Sequence, residues 1–191
     1  SDPAHILPGY DYDVITAEAL IERATVKDGK IFLPDGMNYR VLVLPDRDEI
    51  SLRVLKKIKE LVVAGATVIG PKPVRGETLG NEVSTDAEVT KLADELWGGS
   101  GRREEAQTSA MERHYGKGRV IAGKTAREVL QSDDVPPDCE FLSTSNSQLS
   151  TAFDYIHRTT GEAEIYFVAN RASNAVAATV AFRVRGKAPE L

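Results

Sequence analysis

The most regular patterning in the chain begins at "RVLVLP" (Arg40–Pro45), where four consecutive apolar positions, Val41 to Leu44, are closed by a proline. An unbroken apolar run of this kind reads as a strand covered on both faces, as in a parallel sheet under helices. The next stretch, "DRDEISLRVLKKIKELVVAGATVIG", changes period. Leu55, Ile58, Leu61 and Val62 recur at helical spacing, while Lys56, Lys57 and Lys59 lie largely off that stripe. Asp48 or Ser51 can cap this helix, Asp46, Asp48 and Glu49 favour its positive end, and Gly65 stops it. "ATVIG" (Ala66–Gly70) then reads as a second short buried strand. The result is a strand–helix–strand unit whose crossover should be right-handed.

The same grammar recurs on either side. In "TDAEVTKLADELWGG", Thr85 and Glu88 have capping-box spacing, and Val89, Leu92, Ala93, Leu96 and Trp97 form a buried face that ends at Gly98. "GKGRVIAGKTAREVLQ" gives a strand around Arg119–Ala122 and a short helix from Thr125, with Glu128 again three residues on. Upstream, "DYDVITAEALIERA" predicts a short strand at Asp13–Ile15 and a helix from Thr16 through Ala24. "TVKDGKIFLP" predicts a hairpin turning at Asp28-Gly29. Alternating strands and helices imply a doubly wound α/β layer through about residue 130. Residues 98–118 are polar and charged and read as a surface loop.

Residues 131–150 break this pattern with Pro136-Pro137 and many Ser, Asp and Asn. Three β-rich runs follow, "TAFDYIHR", "AEIYFVAN" and "AVAATVAFRVRG", the first two joined by "TTGE" and the last two by "RASN". The expected organisation is an α/β domain over 1–135, a linker over 136–150 and an antiparallel β segment over 151–191. Three strands are few for an independent domain, so the segment is expected to continue in a longer parent chain.

Composition narrows the function more than it defines it. Of 191 residues, 41% are hydrophobic and 28% charged, ordinary values for a globular protein. The net charge of −5 lacks the basic footprint of nucleic-acid binding, so no nucleic-acid partner is expected. No apolar run approaches the roughly 20 residues that span a bilayer, so no membrane partner is expected either. "SDPAHILPGYDYD" has no basic start and apolar core, and does not read as a signal peptide. The single cysteine, Cys139, excludes an internal disulfide and any multi-cysteine metal site.

Candidate chemistry is sparse. Gly98-Gly99 follow a helix, and Gly116 and Gly118 precede a strand, the reverse of what a phosphate cradle needs. "GPKPVRG" (70–76) sits at the carboxyl end of a strand, where Lys72 and Arg75 could meet an anion, but no capped helix follows directly. Cys139 in "PPDCEF" lacks the glycines of a nucleophile elbow. His5, His114 and His157 lack ligand spacing. Asp35 and Tyr39 flank the turn that feeds Val41–Leu44 at its amino end, opposite the end where open α/β sheets bind ligands. In "YIHRTTGEAEIYFVAN", His157 and Arg158 beside a hairpin turn and Asn170 at a strand end could face a cleft, the alternative being a solvated strand edge.

Taken in order, "YDYDVITAEAL", "KDGKIFLPDGMNYRVLVLP", "LVVAGATVIGPKPVRG", "DAEVTKLADELWG", "GKGRVI" and "IHRTTGEAEIYFVANRA" resemble glycoside hydrolase family 106, the α-L-rhamnosidase-type family of large multidomain bacterial enzymes. The resemblance covers nearly the whole chain. It implies a flavodoxin-like, class I glutamine-amidotransferase-like parallel sheet with helices on both faces, followed by the start of a β-sandwich. The family's catalytic acids lie on an upstream barrel, so the resemblance places no catalytic residue in this chain. Calcium is implied for that barrel only, and no cofactor or metal for this chain. The implied partners are the catalytic barrel and β-sandwich domains of the same full-length protein and its carbohydrate substrate, in a periplasmic or secreted bacterial setting. Asp35, Tyr39, His157, Arg158 and Asn170 are then candidates for interdomain or substrate-facing contacts. The alternative is a free-standing carbohydrate- or nucleotide-binding module at the carboxyl edge of the sheet. One departure stands out: the family's first strand would precede "YDYDVI", where only "SDPAHILPG" is present.

Overall fold

A computed structural model of the chain describes residues 9–77, 85–99, 110–142 and 153–190. The chain divides into two compact units, one over Val14–Glu128 and one joining Ala4–Asp13 to Val129–Leu191.

The first unit begins with α1 (Ala17–Arg23), whose N-cap Thr16 accepts a hydrogen bond from the Ala19 N–H at 3.3 Å. The strand predicted at Asp13–Ile15 does not form; Val14 is 83% exposed and has no sheet partner there. β1 (Thr25–Lys27) and β2 (Lys30–Phe32) make the predicted hairpin, and β3 (Asn38–Tyr39) pairs with β2. Asp28 and Gly29 both have positive φ, 50° and 74°, the backbone that matches the right-handed twist of a two-residue hairpin.

The main sheet contains β4 (Val41–Val43), β6 (Thr67–Ile69), β9 (Gly118–Ala122) and β8 (Met111–Tyr115), in that order. β4, β6 and β9 are parallel, and β8 is antiparallel to β9. β8 lies inside the stretch read as a surface loop over 98–118; residues 100–109 of that stretch lie outside the described residues. Charged positions in "MERHY" hide the strand because only Met111, Arg113 and Tyr115 face inward, and then only partly. β4 is also not the doubly covered strand its apolar run suggests. It is an edge of the described sheet and only half-buried, whereas β6 and β9 fill the centre.

α2 (Leu52–Ala64) buries Leu55, Ile58, Leu61 and Val62, the predicted stripe, and Gly65 ends it at φ 127°. Ser51 is the cap, through a bond from Val54 N–H at 3.3 Å. Asp48 and Glu49 do not serve the helix start. Glu49 lies in β5 (Glu49–Ile50), which pairs in parallel with β7 (Arg75–Gly76), and both acids meet the Arg75 guanidinium, at 3.2 and 3.1 Å. α3 (Asp86–Trp97) buries Val89, Ala93, Leu96 and Trp97. Its predicted capping box fails. Thr85 makes no side-chain cap, and Asp86 instead accepts the Gly76 N–H at 2.7 Å, tying the helix start to β7.

One hydrophobic cluster joins Leu20 of α1, the buried faces of α2 and α3, and Val68, Val120 and Ala122 of the sheet. Val68 and Val120 are register partners and point the same way, so these three helices serve one sheet face. That follows from topology: β4, β6 and β9 are added in one direction, and right-handed crossovers then fall on one side. The described parallel strands, β4, β6 and β9, therefore contain no reversal of order, the point at which such sheets open a ligand crevice.

α4 (Ala126–Ser132) carries the second predicted capping box, and this one forms. Thr125 N–H donates to the Glu128 carboxylate at 2.7 Å, and Glu128 N–H donates back to Thr125 Oγ1 at 3.2 Å. The backbone bond from Thr125, followed by its hydroxyl, holds the Glu128 carboxyl below the usual carboxylate range. Thr125→Ala is expected to cost about 1 kcal/mol; a urea midpoint indistinguishable from the parent chain would refute the cap's contribution.

In the second unit, Gly9 and Tyr10 are stitched to 135–139: Asp138 N–H donates to Gly9 O at 2.6 Å, and the Tyr10 hydroxyl donates to Val135 O at 2.8 Å. Residues 136–150, expected to link two domains, hold β10 (Cys139–Leu142). β10 pairs antiparallel with β13 (Thr179–Phe182), while β11 (Phe153–Thr159) and β12 (Glu164–Asn170) form the predicted hairpin. The last β run therefore partners β10 rather than extending the hairpin. Rings join the two pairs: Phe141 stacks on Phe153 at 4.8 Å, and Tyr166 meets Phe182 at 4.4 Å.

Candidate functional site

The densest polar cluster among the described residues forms where these two strand pairs meet. Strand alternation puts Tyr155, His157 and Thr159 on one face of β11, and the hairpin register sets His157 beside Tyr166 and Thr159 beside Glu164. β10 and β13 supply the rest, Asp138 just before one and Arg183 just after the other. The Arg183 N–H donates to Asp138 O at 2.9 Å, which fixes their register.

His157 lies between two carboxylates. Its Nδ1 is 2.9 Å from Asp138 and its Nε2 is 2.8 Å from Glu164. An imidazolium donates from both nitrogens and satisfies both acids; a neutral ring satisfies one. The ring stacks on Tyr166, with centroids 4.0 Å apart. Asp138 is only 6% exposed and also accepts from the Tyr166 hydroxyl at 3.0 Å and from Arg183 at 3.4 Å. Burial and the bond to Asp138 push the Tyr166 hydroxyl's pKa upward, so it stays a donor. Glu164 also accepts the Thr159 hydroxyl at 2.7 Å, and Lys187 lies 3.8 Å from it.

Thr159 first and His157 second hold the Glu164 carboxyl below the usual carboxylate range. A carboxyl depressed on folding contributes stability that is present above its unfolded value, roughly pH 4.3, and lost as pH falls through its folded value. The urea midpoint should therefore drop on acidification below about pH 4.5, and Glu164→Gln should remove part of that slope. Parallel pH profiles for the two proteins would refute this contribution.

Two buried groups next to the cluster are chemically quiet. Burial, then Asp138, pushes the Cys139 thiol up to about 11, the opposite of an activated nucleophile. The Tyr155 hydroxyl is buried without a hydrogen-bond partner among the described residues. Tyr155→Phe is expected to be neutral or stabilising by up to about 1 kcal/mol, because an unpaired buried hydroxyl contributes only its desolvation cost; a clear loss of stability would show that the hydroxyl is in fact paired.

The other candidates separate from this cluster. Arg158 points to the opposite face of β11, with one guanidinium N–H on the His157 carbonyl at 2.9 Å. Asn170 organises its own turn, donating to Asn174 O at 2.8 Å and accepting from Ala172 N–H at 2.9 Å. In the first unit, Asp35 makes an exposed ion pair with Arg23 at 2.6 Å, and the Tyr39 hydroxyl lies 3.5 Å from Met37 Sδ. At the carboxyl edge of the main sheet, Lys72 binds Asp94 at 2.5 Å and the Gly98 carbonyl at 2.7 Å, while Arg75 is held by Asp48 and Glu49. The cations that an anion there would need are already engaged. Among the described residues, no three His, Cys, Asp or Glu side chains are grouped to hold a metal.

Sequence reasoning reached His157 but missed Asp138, Glu164, Tyr166 and Arg183 as its company. The hairpin register, read from "TTGE", was enough to pair His157 with Tyr166 and Thr159 with Glu164. Asp138 and Arg183 are 45 positions apart, and no local signal joins them.

Residues 2–191 match the family described as alpha-L-rhamnosidase, glycoside hydrolase family 106. The chain belongs to this family. Over 183 residues it is 37% identical to a protein of Formosa agariphila that carries a provisional beta-glucuronidase name; the match covers 96% of this chain and 14% of that protein. It also superposes on the rhamnosidase from Novosphingobium sp. PP1Y with a TM-score of 0.78 and 31% identity, over 97% of this chain and 17% of that one. More than four-fifths of each relative lies outside the matched part. This family 106 chain thus corresponds to a small part of much longer relatives.

Proposed function

We propose that this chain is a non-catalytic domain of a family 106 glycoside hydrolase, supporting or framing a catalytic barrel elsewhere in the parent protein. The observation that carries the reading is how the acids of the cluster are used. A glycosidase needs two carboxyl groups separated by roughly 5–10 Å, with the sugar bond between them. Here the space between Asp138 and Glu164 is filled by the His157 imidazole, bonded to both. The cluster is a clasp between two strand pairs, with no vacancy for a reacting bond.

We read the first unit as a flavodoxin-like, amidotransferase-like layer without the nucleophile elbow; its three parallel strands support that reading. The carbohydrate would be bound by the parent enzyme. Its identity is open to assay, since the two relatives are named for different glycosides. The test is to compare this chain with the full-length protein on aryl rhamnosides and aryl glucuronides. Turnover is expected from the full-length protein alone; turnover by this chain would overturn the proposal.

A further inference from the structure

We infer that the outer face of the β11–β12 hairpin is a docking surface for another domain of the same parent glycosidase, an inference that rests on the accessory reading above. Register fixes the two faces. Ile156 pairs with Phe167 and Arg158 with Ile165, so Ile156, Ile165 and Phe167 lie together, opposite the His157 clasp. They are 49%, 52% and 67% exposed.

That exposure conflicts with the sequence of the strands. An antiparallel pair with one wet face alternates apolar and polar residues. "IYFV" (165–168) instead carries apolar or aromatic side chains on both faces, the pattern of a strand covered on both sides. One side is covered by the aromatic and charged groups of the clasp. The other has an apolar centre with charges around it: the Asp154–Arg171 pair, with 3.4 Å between the groups, and Arg158. An apolar centre with a polar rim is the anatomy of a protein interface.

The choice of occupant follows from size. A free-standing dimer needs roughly 800 Å² per partner, and even an aromatic side chain offers only about 150–250 Å². Three side chains fall short for association in solution. A domain tethered in the same chain needs far less area, because its effective concentration is already in the millimolar range. The relatives supply such domains, since the matched part is 14% and 17% of their lengths. The occupant is therefore an apolar surface of the parent chain with room at its edge to pair Arg158.

Hydroxyl-radical footprinting of the full-length protein tests this without any mutation. Phe167 is expected to label at least tenfold more slowly than phenylalanine in an unstructured peptide, and the protection should not change on tenfold dilution. Phe167→Glu combined with Ile165→Glu should restore fast labelling across 153–170 and open tryptic cleavage at Arg158 and Arg171. Labelling of the unmutated protein at the rate of a two-thirds-exposed ring would overturn the inference. So would protection that vanishes on dilution, which would assign the face to a second copy. Turnover by the 191-residue chain would instead sink the accessory reading and leave the footprint unmoved, so the two failures are distinguishable.

Discussion

Gly118→Ala is expected to destabilise the first unit by about 3 kcal/mol, at the upper end of the cost of overpacking. Gly118 opens the central strand β9 where the chain crosses the end of α2. A Cβ there would stand 2.2 Å from Ala66 O, 2.5 Å from Val62 O and 2.9 Å from Ala66 N. All three are backbone atoms, so no side chain can swing aside. They are also in use: Val62 O accepts the Gly65 N–H that ends the helix, Ala66 N–H donates to Leu61 O, and Ala66 O accepts from Arg119 N–H. Relief of the clash therefore breaks the helix stop or the first rung of the central strand. The adjoining turn has no slack, since Lys117 N–H is bonded to Val63 O and a Cβ on Gly116 would meet Val63 Cα at 2.6 Å. Trp97, the only tryptophan, is buried in this unit and reports its unfolding directly. Gly161 is the control: nothing lies within 4 Å of its would-be Cβ, and Gly161→Ala should shift stability by no more than about 0.5 kcal/mol. A urea midpoint for Gly118→Ala equal to that of Gly161→Ala would show that the crossing is looser than its geometry.

Gly118 also marks how far the sequence could be read. The stripes of α2 and α3, the Asp28-Gly29 hairpin and the Thr125–Glu128 box are set by residues within a turn of each other, and local pattern recovered them. The "YGKGRV" glycines were legible as a turn before a strand, but their closeness to α2 depends on a crossing some 50 residues apart in sequence. The same limit applies to the edge position of β4, since an apolar run records burial and not strand order. β8 was hidden because its partner, not its own composition, makes it a strand. Thr85 failed as a cap because Asp86 is tied to Gly76, a competing bond from outside the helix. At the candidate site, the hairpin half of the clasp was readable from register, while the Asp138–Arg183 half required the pairing of β10 with β13, which nothing local announces.

Asp138→Ala is expected to loosen the second unit by about 3 kcal/mol, because it breaks a buried charge network from its centre. Three donors converge on this 6%-exposed carboxylate: the His157 imidazole, the Tyr166 hydroxyl and the Arg183 guanidinium. Alanine leaves all three facing a void, and each buried donor that loses its acceptor carries its desolvation cost. The neighbouring Cys139 supplies the readout. It is fully buried and is the only cysteine, so its reaction with an aromatic disulfide reagent is expected to require opening of the unit. A loss of about 3 kcal/mol should accelerate that labelling on the order of a hundredfold. Asp138→Asn keeps one acceptor oxygen but turns an N–H₂ toward a donor, so its rate should fall between alanine and the parent. In the full-length enzyme the same series should track thermal stability and leave kcat of the folded protein unchanged. The reverse result, thiol protection intact and kcat lost, would mean that Asp138 acts on the substrate and that the clasp is an active site.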